Sequence, residues 1–360
     1  MQSYLPLLVP NPSPQSLASL YRGVINLQSR YLLTSPFCNS FQPPVESHLP
    51  PSVNGASTDD TVKPTYSNQS VFECKYELDS LAAFLEVSTD YYTATKDIAF
   101  FGKYNWVAAV NAVLGVAEAM MTPTYAANGS VNVSPYTFTR LTTRGSETLT
   151  NDGIGNPVQG GTGLIRSAFR PSDDTTIYQL FIPANMMFSR YLETAGQIMA
   201  CIPGQAATSQ RMCNLSQSLR NAISAHGIVQ DPTWGAIYAY EIDGYGSRNI
   251  MDDANIPSLL SAPLLGYLPM NDPVYQNTRQ MALSSGNPYF MRGPAISAEG
   301  GPHNGPGYAW PMASIVRILT SSNDTEIFNT LKELVATTDG LGLVHESIYA
   351  SNSTNWTRQW

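Results

Sequence analysis

Apolar residues recur at helical spacing in several long runs, held apart by irregular segments rather than tight turns. This pattern limits the possible folds more than any other feature. Leu17, Leu20, Val24, Leu27 and Tyr31 form one stripe, which Pro36 ends. Leu78, Leu81, Leu85 and Tyr92 form the next, inside a helix expected over 72–94. Further helices are expected over 104–121, 177–198, 209–226, 306–319 and 326–335. Strand-like runs are few and short. Helices joined by long, residue-rich loops suggest an all-α solenoid or toroid. No repeat at a fixed period marks a tandem helical array. No break in composition divides the 360 residues, so the chain reads as one domain, 1–360, with a polar, proline-rich loop over 43–70.

Charge and composition exclude some functions. The net charge is −8 with no basic patch to neutralise phosphates, which argues against nucleic acid as a partner. No apolar run approaches the ~20 residues that span a bilayer, so no membrane partner is expected. The 20 Tyr and 5 Trp suit a carbohydrate site, and equally an ordinary core.

The compartment is suggested by two agreeing features. Seven Asn-x-Ser/Thr sequons occur, at Asn68, Asn128, Asn132, Asn214, Asn323, Asn352 and Asn355, and Pro135 makes the Asn132 site a poorer acceptor. The four cysteines are even in number and none forms a Cys-x-x-Cys pair, which argues against zinc. The simplest disulfide scheme pairs Cys38 with Cys74 and Cys201 with Cys213, as in a secreted protein; the alternative is four buried thiols. Met1 to Val9 has no basic region and no small-residue cleavage site, so no signal peptide is visible.

Four polar segments could carry chemistry. Tyr238 to Tyr267 packs Glu241, Asp243, Asp252 and Asp253 among aromatics, glycines and amides, in a chain only 13% charged. Carboxylates can bond paired sugar hydroxyls, and rings can cover the apolar sugar face. Part of this segment has a plainer reading, with Asp252 or Asp253 capping a helix that starts near Ile256. Arg166 to Asp174 precedes the helix expected at 177, so Ser172 can cap it and Asp173 and Asp174 can complement its dipole. The functional reading makes one of the two Asp a proton donor, with a like-charged neighbour helping to keep it protonated. Gly300 to Pro311 is a glycine-rich loop that lets backbone approach a ligand, and it carries His303 and Trp310. His345-Glu346-Ser347 is either a surface turn or a site, and it lacks the second His of a zinc-protease motif. There is no Gly-x-Ser-x-Gly elbow, and four His leave few members for a Ser-His-Asp triad. The balance favours glycoside chemistry.

Together these segments resemble glycoside hydrolase family 125, the exo-α-1,6-mannosidases. The resemblance spans almost the whole chain, through Gly23 to Arg30, Cys38 to Phe41, Glu77 to Leu81, Asn105-Trp106, Phe169 to Asp174, Ile182 to Met186, Glu241 to Gly246, Met251 to Pro257, Gly300 to His303 and His345 to Ser347. It implies an (α/α)6 toroid and inverting hydrolysis that needs no metal and no cofactor. Inversion requires an acid on the leaving oxygen and a base on water across the ring, with carboxyls roughly 6.5–9.5 Å apart. Carried over motif by motif, the acid falls on Asp173, with Asp174 as the alternative, and the base on Glu346. Arg170, Asp243, His303 and Trp310 are expected to line the mannose pocket. The expected partners are α-1,6-linked mannosides, from N-glycans or mannan.

The chain also departs from the family. Members carry a Trp-Leu-Arg-Asp-Ser motif near the N-terminus, and this sequence has none. Met1 to Val9 resembles the remainder of the helix after that motif, and Thr357 to Trp360 the start of the final helix. The expectation is a toroid incomplete at its first and last helices, with exposed apolar surface, whose secretory signal is lost and whose activity is impaired. Two competing readings stand beside the enzyme. One is a non-catalytic mannose-binding fragment or pseudoenzyme. The other is a polysaccharide lyase, whose uronate substrates would call for more basic residues.

Overall fold

The computed structural model describes residues 8–9 and 11–358. Nine α-helices form the body among these residues: α1 (Leu17–Thr34), α2 (Leu78–Thr95), α3 (Ile98–Phe101), α4 (Trp106–Ala119), α5 (Ile182–Ala200), α6 (Ala206–Ala222), α7 (Pro273–Ala282), α8 (Pro311–Leu319) and α9 (Asp324–Ala336). α2 and α5 are buried around most of their circumference, the property of inner helices. α5 packs against α2 on one side and α6 on another, while α1 lies against α2 and α4, and α8 pairs with α9. The Trp106 indole donates to Ser88 Oγ at 3.0 Å and ties α4 to α2. α9 keeps a one-sided stripe and turns Phe328, Leu331 and Val335 to solvent.

The helices start where local chemistry lets them. Ser16 accepts the Ser19 N–H and caps α1. Asp272 accepts the Tyr275 N–H at 2.8 Å and caps α7, with Pro273 in its first turn; the periodicity did not predict this helix. Three helices begin later than expected because short strands take their first residues. Val71–Glu73 pairs with Ser40–Phe41, and α2 begins only at Leu78. Leu180–Phe181 pairs with Glu241–Ile242, and α5 begins at Ile182. Tyr308–Ala309 pairs with Ile348–Tyr349, and α8 begins only at Pro311.

The irregular segments hold six small antiparallel sheets of two or three strands among the described residues. An all-α reading describes the body and misses these, because strands this short carry no period to detect. The proline-rich loop over 43–70 is pinned by one of them. Asp60–Lys63 pairs with Thr137–Arg140, and Arg140 grips Asp60 at 2.6 Å and Glu73 at 2.6 Å.

Cys38 and Cys74 form a disulfide, as expected, at the end of the strand pair Ser40–Phe41 and Val71–Glu73. The expected Cys201–Cys213 bridge is absent and both thiols are free. Cys213 sits in α6 with its sulfur against Gly196 of α5, more than a helical turn away from Cys201 at the end of α5. Asn352–Trp356 is a strand, and Thr357 and Arg358 are non-helical. Leu8 and Val9 are likewise non-helical, while the rest of the terminal expectations, at 1–7 and 359–360, lie outside the described residues.

Candidate active site

The segment before α5 is a tight turn and not a helix cap. Asp173 N donates to Arg170 O at 2.9 Å, and Arg170 N donates to Asp174 O at 2.8 Å. Because α5 starts at Ile182, Ser172 caps nothing there; its hydroxyl bonds Asp174 Oδ2 at 3.1 Å. The turn separates the two acids. Asp173 takes a left-handed backbone, φ 69°, a conformation that costs energy for a residue with a side chain. Its side chain is 51% exposed, whereas that of Asp174 is 4% exposed.

Asp174 faces His303, whose Nδ1 lies 3.4 Å from Asp174 Oδ2. Burial works to raise the Asp174 carboxyl, but hydrogen bonds from His303, Ser146 and Ser172 outweigh it and hold its pKa below the ordinary value. The same hydrogen bond raises the His303 pKa against its burial, and the charges of Asp174, Asp173 and Glu346 add to this. His303 therefore stands near both expected catalytic carboxylates. Its loop passes close to the wall behind it. A side chain on Gly301 would place its Cβ 2.7 Å from Asp253 Oδ2, and one on Gly300 would meet Tyr308 O at 2.0 Å.

Beneath the turn lies a buried charged layer. Arg170 Nε donates to Glu241 Oε1 at 2.7 Å, and the guanidinium stands over the Tyr240 ring at 5.4 Å. Glu241 Oε2 receives Ile177 N at 3.2 Å, Tyr178 N at 3.3 Å and Asn249 Nδ2 at 3.3 Å. Burial alone would lower the Arg170 pKa; the Glu241 charge, then Tyr240 and Asp253, raise it instead. Arg170 and Glu241 thus hold each other and the start of the α5 approach. Asp252, Asp253 and Glu299 form a second group, all fully buried. Burial pushes Asp252 up to about 7, and burial followed by Asp252 and Asp253 pushes Glu299 well up. The helix expected to start near Ile256 does not form, so neither Asp252 nor Asp253 caps one; Asp252 instead accepts Leu259 N at 2.8 Å and Leu260 N at 2.7 Å in a run of turns.

Asp243 turns to its own hairpin, where Oδ1 accepts Tyr245 N at 2.8 Å and Ser247 N at 2.9 Å. Trp310 is buried against Ala254 and Ala313, at the start of α8. Glu346 lies at the edge of the short sheet of Tyr308–Ala309, Ile348–Tyr349 and Asn352–Trp356. Its carboxylate receives Arg358 Nη2 at 2.6 Å on Oε1 and Thr357 Oγ1 at 3.1 Å on Oε2.

Three acidic and basic neighbours of Asp173 escaped the sequence reading as site residues. Lys75 Nζ lies 3.2 Å from Asp173 Oδ1 and is itself buried, over the Phe169 ring. Glu77 and Asp79 are buried at the start of α2. Burial, then Asp79 and Asp173, push Glu77 well up; burial and then Asp173 push Asp79 up to about 7. Their motif was visible, but the later start of α2 was not, and it puts them at the site end of the helix. The arrangement brings an open carboxylate, a held carboxylate and a histidine into one electrostatic neighbourhood, suited to acid–base work on a polar substrate.

Comparison with known proteins agrees with this chemistry. A protein of Schizosaccharomyces pombe, the meiotically up-regulated gene 157 protein, is 46% identical over 359 residues, which is 99% of this chain and 69% of that protein. A solved structure of a metal-independent alpha mannosidase from Streptococcus pneumoniae, in a non-productive substrate complex with alpha-1,6-mannobiose, superposes with a TM-score of 0.85 at 34% identity. That match covers 96% of this chain and 77% of the other. The family model for metal-independent alpha-mannosidases, GH125, matches residues 1–360, and the chain belongs to that family.

Proposed function

We propose that this chain is an exo-acting α-1,6-mannosidase that inverts the anomeric centre, with Asp173 as the acid and Glu346 as the base. Family membership and the mannobiose complex of the pneumococcal relative support the substrate class. The observation that carries the residue assignment is the placement of His303: it lies 3.4 Å from Asp174, beside Asp173, and the next residue, Asn304, bonds Ser347 beside Glu346 at 2.7 Å. Between the two aspartates, Asp174 is a poor proton donor because its hydrogen bonds hold it below the ordinary carboxylate value. Asp173 is open to a ligand. In the reaction Asp173 gives its proton to the glycosidic oxygen as the bond to the anomeric carbon breaks. Glu346 takes a proton from the water that attacks the opposite face, and β-mannose leaves.

The same reading puts Arg170 behind the pocket, His303 and Trp310 at its side, and an (α/α)6 toroid around it. The natural glycan would be an N-glycan or mannan met in the secretory pathway, where most sequon asparagines, such as Asn68, Asn128 and Asn214, are exposed for glycosylation. The test is α-1,6-mannobiose hydrolysis followed by proton NMR. β-Mannose should form first, and Asp173→Asn and Glu346→Gln should each lower kcat by roughly 10²–10⁴-fold. First release of α-mannose would remove inversion. Unchanged turnover in Glu346→Gln would remove Glu346 as base. Mannobiose binding without turnover by the wild-type chain would favour a binding protein.

A further inference from the structure

We propose that Thr357 and Arg358 form a clamp that positions Glu346 for base catalysis. This rests on the assignment of Glu346 as base. After the strand Asn352–Trp356 the chain doubles back along His345 to Ser347. Thr357 N donates to Ser347 O at 3.1 Å, and Glu346 N donates to Arg358 O at 2.7 Å. The backbone register places both side chains beside the carboxylate. Arg358 Nη2 then meets Oε1 at 2.6 Å and Thr357 Oγ1 meets Oε2 at 3.1 Å. The terminal torsion of a glutamate is otherwise broad, and one donor on each oxygen fixes it. Each oxygen keeps a further lone pair to accept the proton of an attacking water.

The clamp is tied to the acid side of the site. Thr357 Oγ1 accepts Ser347 N at 3.2 Å and shares a hydrogen bond with Ser347 Oγ at 3.0 Å. Ser347 Oγ accepts Asn304 Nδ2 at 2.7 Å. Asn304 follows His303, which bonds Asp174 next to Asp173. A continuous chain of contacts therefore runs from the acid turn through the glycine-rich loop to the base. Inversion depends on the separation of the two carboxyls, and a displacement near 1 Å can cost roughly 10²-fold in rate. Packing reinforces the register: the His345 ring stacks on Trp356 with centroids 4.3 Å apart and planes 11° from parallel. The Arg358 side chain is 64% exposed, so its replacement leaves no buried cavity.

The experiment measures kcat and KM on α-1,6-mannobiose for Arg358→Ala, Arg358→Lys and Thr357→Val, beside Glu346→Gln. Arg358→Ala should lose roughly 10²-fold in kcat with KM changed less than about twofold, the pattern of a misplaced catalytic group. Arg358→Lys should recover part of the loss, and added guanidinium should restore Arg358→Ala while leaving Glu346→Gln impaired. Thr357→Val should fall about tenfold, for loss of one hydrogen bond to the carboxylate. Wild-type kcat in Arg358→Ala with Glu346→Gln impaired would overturn the clamp and leave the base assignment standing. Wild-type turnover in Glu346→Gln would overturn the assignment, and the clamp with it. A loss in Arg358→Ala that tracks a lowered Tm and ignores guanidinium would also overturn the clamp, as a structural role.

Discussion

Two arginine–glutamate pairs in this molecule have nearly the same geometry and opposite surroundings. Arg170 meets Glu241 at 2.7 Å with side chains 3% and 0% exposed. Arg358 meets Glu346 at 2.6 Å with side chains 64% and 8% exposed. In the first pair Glu241 also takes three further donors and is sealed from substrate. It joins the acid turn to the hairpin strand Glu241–Ile242, so its charges serve the fold. In the second the carboxylate rests at the edge of a sheet with a solvated partner. Distance alone does not separate a structural pair from a chemical one. The exposure of the arginine and the donors gathered on the carboxylate do.

The sharpest way to break the comparison is to neutralise each glutamate. Glu346→Gln should lower kcat by roughly 10²–10⁴-fold, the usual contribution of a positioned base, with little change in Tm. Glu241→Gln should do the reverse in kind. It leaves a buried arginine without its countercharge, and the chain should lose about 3–5 kcal/mol of stability in urea unfolding. Equal melting losses in the two variants would erase the distinction between the pairs.

The contrast between buried and open groups extends to the cysteines. Cys38→Ser removes the bridge beside the pinned loop and should cost about 2–5 kcal/mol, read as a shift in the urea midpoint. Cys201→Ser alters an exposed free thiol and should stay within about 0.5 kcal/mol of wild type.

The smallest effect is a pH dependence at the boundary between the two regions. The folded His303 pKa lies above 6.5, so its contribution is complete below that pH and is lost as pH rises through the folded value. The folded Asp174 pKa lies below 3.8, so its contribution is present above that pH and is lost as pH falls through the folded value. The pair therefore stabilises most between about pH 4 and 6.5, where both groups are charged. His303→Asn should flatten the decline in Tm above that window. An unchanged decline would show that other groups set it.

Much of the fold was legible because helical periodicity is local. The stripe from Leu17 to Tyr31 became α1, and Trp106–Ala119 lies within the expected 104–121. The misses have local causes too. Two-residue strands such as Leu180–Phe181 show no period, and their pairing moved the start of α5 past the acid turn. That shift removed the capping explanation for Ser172 and freed Asp173 and Asp174 for another role. The free thiols at Cys201 and Cys213 follow from the register between α5 and α6, which cysteine counting does not contain.

The sequence by itself determined the helical body, the first disulfide, the family and the motifs that carry Asp173, His303 and Glu346. These are properties of neighbouring residues or of order along the chain. Only the tertiary structure decided which acids are open and which are sealed. Arg170 and Glu241 are 71 positions apart and Asn304 and Ser347 are 43 apart, so no local pattern records their contact. Solvent exposure and electrostatic environment arise from such distant contacts, and they separate the carboxylates placed for chemistry from those that hold the fold.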